Sequence, residues 1–398
     1  MRILICSLEA PLPPSNGLRV HVSALVRELQ KEHEVRVLAL HKLDQDDPGN
    51  LDWLRLVPDK IEGRPVMRML SWETALFVGR APVATESAGQ LRRPLLDELR
   101  RFQPEVVHVT SGRLARLGAS LRGQPKVLAA LDAWHLNVDA EIVAARGAIR
   151  RLRRIERRLV TRFERSEYRR FERVVVVSEE DRQALLAVNA ELTIEVIPNG
   201  VDADAFDWDG TSRDRSLIVF TGVMSYAPNV TAAEVLARDV LPRVRRLLPS
   251  ARLALVGRDP APEVWALGDL PGVEVVGEVP DLRPRLSRAG AYACPMLTGT
   301  GIKNKLLEAM ANGLPCVASP LALRGLHVTN GEQVLVGSDP DELAAHLVSV
   351  LGEEGRARGL GDAGRSYVRA HHSWASVAEQ FVRVYRDVAS IDGNRAQS

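Results

Sequence analysis

"TGTGIKNKLLEAMANGLPCVAS" occupies Thr298 to Ser319. It sets two glycines and two lysines at the mouth of a helix-forming run. Lysine is scarce in the chain. Of only six (Lys31, Lys42, Lys60, Lys126, Lys303 and Lys305), two fall in this one turn. Upstream, "GAYACP" reads as a short apolar strand ending at Pro295, and "MLTGTG" as the loop after it. "KNKLLEAMAN" then holds helix formers throughout, and Gly313 with Pro315 stops the helix. In a parallel sheet such a loop lies beyond the carboxyl end of its strand, where ligands bind. The helix start offers unpaired backbone N–H groups and a positive dipole end. Gly299 and Gly301 let a ligand approach the backbone closely, and Lys303 and Lys305 add charge. Together these groups suit a diphosphate. A P-loop is excluded, because Asn304 stands where its second glycine is needed. Gly301, Asn304 and Glu308 share one stripe of the helix. A carboxylate one turn above a phosphate cradle repels phosphate but accepts from two vicinal hydroxyls, such as those of ribose. On residue types alone, a solvated glutamate behind a glycine-rich turn remains the competing reading.

Outward from this stretch, the same rhythm recurs. "SLIVFTG", "ARLALVG" and "VEVVGEV" precede it as strands with helices or loops between, and "LPCVAS" follows. In the N-terminal half, "RILIC", "EVRVLAL", "PEVVHVT", "PKVLAAL" and "RVVVVS" read as buried parallel strands. The expectation is an α/β fold of two Rossmann-like halves, joined near Pro198 to Asp202. Ser178 is a good N-cap, with Glu179, Glu180 and Asp181 in the first turn after it. No G-x-G-x-x-G follows the first strand, which disfavours a dinucleotide dehydrogenase. Residues 41 to 104 carry no clear pattern. The 398 residues suit two domains, and a net charge of +2 gives no global field for nucleic acid. Cys6, Cys294 and Cys316 lack metal-ligand spacing and read as buried, reduced thiols of a cytoplasmic protein. The N-terminal apolar run is too short for a signal peptide, and no stretch approaches the ~20 apolar residues of a membrane span.

The C-terminal half resembles the donor-binding domain of GT-B glycosyltransferases, specifically the retaining family 4 (glycosyl transferases group 1). The resemblance rests on "IPNGVD" (Ile197 to Asp202), "VFTGVMSYAPN" (Val219 to Asn229), "LALVG", "VEVVGEVPDL" and "GTGIKNKLLEAMANGLPCVAS", in the family's order. It implies two Rossmann-like domains facing across a cleft: an acceptor domain over residues 1–190, a donor domain over 200–372, and a last helix over 373–398 returning to the first domain. It implies that Glu308 holds the ribose. The loop Thr300, Gly301 and Ile302 then holds the diphosphate, with Lys303 or Lys305 neutralising it. Gly222, Tyr226 and Asn229 would line the donor site, and Gly17 would close over the phosphates. Many members carry a second glutamate eight positions before the first; here that position is Thr300, so donor orientation and donor identity are open. The implied reaction is metal-independent transfer, with retention, from a nucleotide-diphosphate sugar (UDP-sugar favoured) to a hydroxyl acceptor, lipid-linked or small. No cofactor is required. "DWD" at Asp207 to Asp209 spells a D-x-D but sits in a polar segment, so a metal role is not expected of it.

For the chemistry at the sugar, the resemblance points to the loop of "LAALDAWHLN". There Asp132 is the better positional match and His135 the better chemical one. Both could instead be structural. His108 reads as a packed strand-end histidine. Residues 143–172 are expected to form one long helix. Twelve arginines and four glutamates lie between Arg146 and Arg173, so the rest of the chain is net acidic. Peripheral contact of residues 146–173 with anionic lipid is one reading. The favoured reading packs the stripe Leu152, Ile155, Leu159 and Phe163 on its own domain, with glutamates pairing arginines. Nucleic-acid binding is not expected, for want of an aromatic platform. Two alternatives remain: a UDP-sugar 2-epimerase of the same architecture, and a nucleotide-sugar-binding protein without turnover.

Overall fold

The computed structural model describes residues 1–13, 17–41, 51–59, 82–208, 210, 212–299 and 302–395. The chain divides into two units, Met1–Pro198 with Val377–Ser398, and Asn199–Ser376. Each holds one all-parallel sheet with helices between its strands.

In the first unit the strands are β1 (Arg2–Ser7), β2 (Glu34–His41), β3 (Leu54–Pro58), β4 (Val106–Thr110), β5 (Lys126–Leu131), β6 (Arg173–Val176) and β7 (Ile194–Val196). They lie in the order β3-β2-β1-β4-β5-β6-β7. The helices are α1 (Gly17–Leu29), α2 (Pro82–Phe102), α3 (Trp134–Ala144), α4 (Gly147–Glu167) and α5 (Glu179–Val188). Residues 3–6 of β1 and all of β4 are buried, as expected of strands covered on both faces. Ser178 Oγ accepts from the Asp181 N–H at 3.1 Å and so caps α5. β3 and α2 fall within the stretch that the sequence left unread; residues 42–50 and 60–81 lie outside the described residues.

The second unit has β8 (Asp214–Thr221), β9 (Arg252–Val256), β10 (Val273–Gly277), β11 (Ala289–Cys294), β12 (Cys316–Ala318) and β13 (Leu335–Val336), ordered β10-β9-β8-β11-β12-β13. Its helices are α6 (Ala227–Glu234), α7 (Leu241–Leu247), α8 (Pro262–Trp265), α9 (Arg283–Arg288), α10 (Asn304–Ala311), α11 (Pro340–Gly352) and α12 (Glu354–His371). The last helix, α13 (Trp374–Arg395), starts in this unit and from Val377 onward belongs to the first. There Phe381 and Tyr385 are fully buried, and the Tyr385 hydroxyl lies 2.5 Å from His108 Nδ1. Burial, then the neighbouring His21, pushes the His108 imidazole down to about 3. All three cysteines are free and buried.

Two expectations are corrected. The arginine-rich segment is not one helix. It breaks between Ala144 and Gly147, where Gly147 adopts φ 57, and α4 ends at Glu167 before β6 begins. Nor does the apolar stripe pack as a unit. Phe163 is buried, but Leu152 is 50% and Ile155 44% exposed, while Glu156, Glu164 and Glu167 are buried. Part of the pairing does hold. Arg153 reaches Glu156 and Glu141, and Arg170 reaches Glu167.

Candidate functional site

The second sheet reverses its winding between β8 and β11. A doubly wound sheet opens a crevice at that point, beyond the carboxyl ends of its strands. A cleft of about 520 Å³ lies there, lined by Gly222 and Tyr226 after β8, Arg258 after β9, Glu278 after β10, and Gly299 and Lys303 after β11. It therefore crosses four adjacent strand ends, roughly 14 Å at the usual inter-strand spacing. That is long enough for a diphosphate, a ribose and a base laid end to end.

Two helix starts meet in the cleft. Neither α6 nor α10 has a side-chain cap at its N-terminus. At α10 this leaves the Asn304 and Lys305 N–H groups for another acceptor; at α6, where Pro228 has no N–H and Asn229 donates to Tyr226 O at 2.8 Å, it leaves that of Ala227, each at the positive end of a helix dipole. α10 is stopped cleanly at its far end. Gly313 at φ 71 donates to Met310 O at 2.9 Å, and Leu314 donates to Ala309 O at 3.1 Å, the paired bonds of a Schellman motif.

Lys305 bridges the two loops. Its Nζ donates to Asn229 Oδ1, and Asn229 Nδ2 donates to Val223 O at 2.8 Å. The ammonium also lies 4.6 Å from the Phe220 ring centroid. A Cβ at Gly222 would stand 2.8 Å from Lys305 Nζ and 2.7 Å from Asn229 Nδ2, so this bridge needs a glycine. A Cβ at Gly257 would stand only 1.7 Å from Gly222 O. Burial pushes the Lys305 ammonium down to about 8, and the nearby Lys303 adds to the shift. Burial raises the Glu308 carboxyl above its ordinary value, with Lys305 opposing. Lys303 is buried, its Nζ 3.4 Å from Gly299 O. Asn304, Ile302 and Glu308 complete this end of the cleft.

Family models match both units. The one described as "Glycosyltransferase Family 4" covers residues 15–205, and the one described as "Glycosyl transferases group 1" covers 215–353. The chain belongs to the group 1, family 4 glycosyltransferases. Among similar curated proteins is a phosphatidyl-myo-inositol mannosyltransferase of Mycolicibacterium smegmatis, 33% identical over 204 residues, 48% of this chain and 52% of that protein. Another is a GDP-mannose-dependent monoacylated alpha-(1-6)-phosphatidylinositol monomannoside mannosyltransferase of Corynebacterium glutamicum, 29% identical over 50% of this chain and 57% of that one. The chain spans about half the length of the curated relatives it matches. Among solved structures, sucrose-phosphate synthase from Thermosynechococcus elongatus superposes with a TM-score of 0.68 at 19% identity, covering 98% of this chain and 99% of that one. The two parallel-sheet units are those of the GT-B fold.

Gly222, Tyr226, Asn229, Ile302, Lys303, Lys305 and Glu308 are gathered around one cleft of the second unit. Thr300 and Gly301 lie outside the described residues. Gly17, Asp132 and His135 belong to the first unit. Gly17 opens α1, and a Cβ there would meet nothing within 4 Å. Asp132 follows β5 directly and is solvent-exposed, yet protein atoms crowd its other sides. This desolvation raises its carboxyl, while Asn137 Nδ2, donating at 2.8 Å, opposes the shift. The residue before it, Leu131, sits at φ 70, a left-handed conformation costly for a non-glycine. His135 is 4% exposed. Its Nδ1 lies 2.7 Å from one oxygen of the fully buried Glu164, and its backbone N–H donates to the other at 3.2 Å. That pair ties α3 to α4. Of Asp132 in the loop and His135 in the first turn of α3, Asp132 is the one that reaches solvent.

Asp207 of the D-x-D is engaged by Arg365 at 3.1 Å and Arg369 at 2.8 Å. Burial would raise its carboxyl, but these guanidinium groups hold it below the ordinary range. Asp209 lies outside the described residues. Among the described residues no group of three potential metal ligands gathers. The sequence reading missed Arg258 and Glu278. Both directly follow, or lie one residue beyond, a strand's carboxyl end, which was a usable signal. What it lacked was the adjacency of β8, β9 and β10.

Proposed function

We propose that this protein transfers a sugar from a nucleotide-diphosphate sugar to a hydroxyl acceptor, with retention at the anomeric carbon and without a metal. The observation that carries the reading is the meeting of two uncapped helix starts with Lys303, Lys305 and Glu308 at the switch point of the second sheet. Breaking a sugar–phosphate bond builds charge on the departing diphosphate. Preorganised N–H donors and ammonium groups at that position stabilise the charge as it develops. Glu308, one turn along α10, accepts from the ribose hydroxyls. Asp132 is the first-unit group assigned to the sugar and acceptor, by the family resemblance and its exposure. His135 is assigned to hold the loop that presents it.

The sequence favoured a UDP-sugar. A relative named as GDP-mannose-dependent favours GDP-mannose instead, and the names of both relatives favour a phosphatidylinositol-based, lipid-linked acceptor. Retention rests on the family resemblance. Absence of a metal requirement rests on the cationic cleft, which supplies the charge a metal would otherwise provide.

The test is a thermal-shift panel of GDP, UDP, ADP, CMP and dTDP. A ligand at a hundred times its dissociation constant adds about 2.7 kcal/mol to the folded state. A shift by one diphosphate alone fixes the donor class; no shift with any of them overturns the nucleotide site. Product analysis with the matching sugar donor then separates a transferase from an epimerase or a binding protein. Asp132→Asn should leave the diphosphate shift intact and cut turnover. Loss of activity on adding a chelator would overturn the metal-free mechanism.

A further inference from the structure

The start of α4 carries an apolar edge that its own unit does not cover. Ile149 is 62%, Leu152 50% and Ile155 44% exposed, at three-residue spacing along the first turns of the helix. Val143, near the end of α3, is 81% exposed beside the break that joins the two helices. Single exposed aliphatics are ordinary, but four in a thirteen-residue span are not. The arginines of this segment fall into two sets. Arg153 and Arg157 are tied to Glu141, Glu156 and Asp139. Arg146, Arg150, Arg151, Arg154 and Arg158 are exposed and have no acidic partner among the described residues.

This combination selects its partner. Nucleic acid would satisfy the guanidinium groups but leave the aliphatic edge in water, and no aromatic residue stands among them to stack on bases. A second copy of this face would cover the aliphatics but bring like-charged arginine sets together across a two-fold axis. An anionic bilayer surface meets both needs. Its headgroup phosphates take the guanidinium groups, and its acyl boundary takes the aliphatic side chains of a helix lying in the plane. We propose that the end of α3 and the first turns of α4 form a docking site for anionic membrane surfaces. Ile149, Leu152, Ile155 and Val143 enter the headgroup boundary, and the unpaired arginines hold anionic headgroups. This site belongs to the first unit and the nucleotide cleft to the second, and it does not depend on the transfer reaction.

The experiment is co-sedimentation of the full chain with phosphatidylcholine vesicles, and with vesicles in which part of that lipid is replaced by phosphatidylglycerol. Binding should be at least about tenfold tighter on the anionic vesicles and should weaken with salt. The triple variant Ile149→Ser/Leu152→Ser/Ile155→Ser should lose on the order of tenfold or more, because the apolar insertion is gone. Arg150→Ser/Arg154→Ser/Arg158→Ser should lose binding and flatten the salt dependence. The three aliphatics are exposed, so the variants should melt as the unsubstituted chain does and keep its diphosphate shift. Full vesicle binding by the aliphatic variant would overturn the proposal, since plain charge attraction would then suffice. So would absence of binding to anionic vesicles, or binding of duplex DNA or self-association abolished by these substitutions while vesicle binding persists. Vesicle binding without any diphosphate shift would leave this proposal standing and fell the nucleotide site alone.

Discussion

Both sheets reverse their winding once, between β1 and β4 in the first unit and between β8 and β11 in the second. The two strand ends at these switch points are built from opposite materials. In the second unit the loops are glycine-rich, Gly222 and Gly257 touch backbone to backbone, and two helix starts are left uncapped. In the first unit, β4 and β5 run into non-glycine residues with positive φ, Ser111 at 78 and Leu131 at 70. Around them lies a side-chain network. The Ala133 N–H donates to Asp181 at 2.9 Å, Asp181 bonds Ser178, and Glu164 holds His135. Under the proposed function, the bare backbone edge is the one that takes an extended anion through its N–H groups. A strained edge braced by side chains fixes one exposed carboxyl, Asp132, in place. One topology thus carries two kinds of strand end, according to whether glycine or a hydrogen-bonded side chain shapes it.

The sharpest way to break this comparison is Glu308→Ala. Losing a charged acceptor should cost on the order of 1.5–3 kcal/mol per ribose hydroxyl bond, with little effect on folding. Unchanged diphosphate affinity by calorimetry would sink the ribose assignment. In the first unit the same kind of deletion should act on stability instead. Glu164→Ala removes both the ring and the backbone contact of His135 and should cost roughly 3 kcal/mol in urea denaturation. Surviving protein should still bind the diphosphate; if it does not, the two ends are not as separable as described.

Acid should act next on both units, through His108 in the first and His372 in the second, whose imidazole burial pushes down to about 4. His108 stays neutral in the fold down to about 3, whereas in the unfolded chain it protonates near its ordinary 6.5. Between those values the unfolded state binds more protons, so stability falls as pH falls below 6.5, by about 2 kcal/mol at pH 5. His108→Phe should flatten that slope, and an unaltered slope would place the acid sensitivity elsewhere. The smallest effect belongs to Lys305. Its ammonium loses its proton near 8, so diphosphate affinity should fall as pH rises above that value, by at most about tenfold per unit. Lys305→Arg should move that decline beyond the accessible range.

Much of this was legible in the residues. Continuous apolar runs marked β1, β4, β8, β9 and β11, because a strand covered on both faces needs no polar alternation. The glycines and the lysine pair pointed to the cleft because few other functions need both together. Strand order was not legible. It is set by long-range packing, and with it went Arg258 and Glu278. The α3–α4 region misled for a different reason. A 3.6-residue period reports an amphipathic helix but not which side its own domain covers. Here buried glutamates, paired with His135 and arginines, take inward positions that the aliphatics were expected to fill. β3 stayed hidden because it is a half-buried edge strand of mixed residues, "LRLVP".

The path of α13 has a consequence for how the protein is made. Tyr385 and Phe381 close over His108, yet they are joined to the first unit only by way of the entire second one. A ribosome adding roughly 5–20 residues per second needs on the order of ten seconds or more to make what lies between. For all that time the first unit stands with the α13 side of its sheet uncovered, and the second unit can fold before it. The nascent first unit is the stage at which a chaperone would have most to protect.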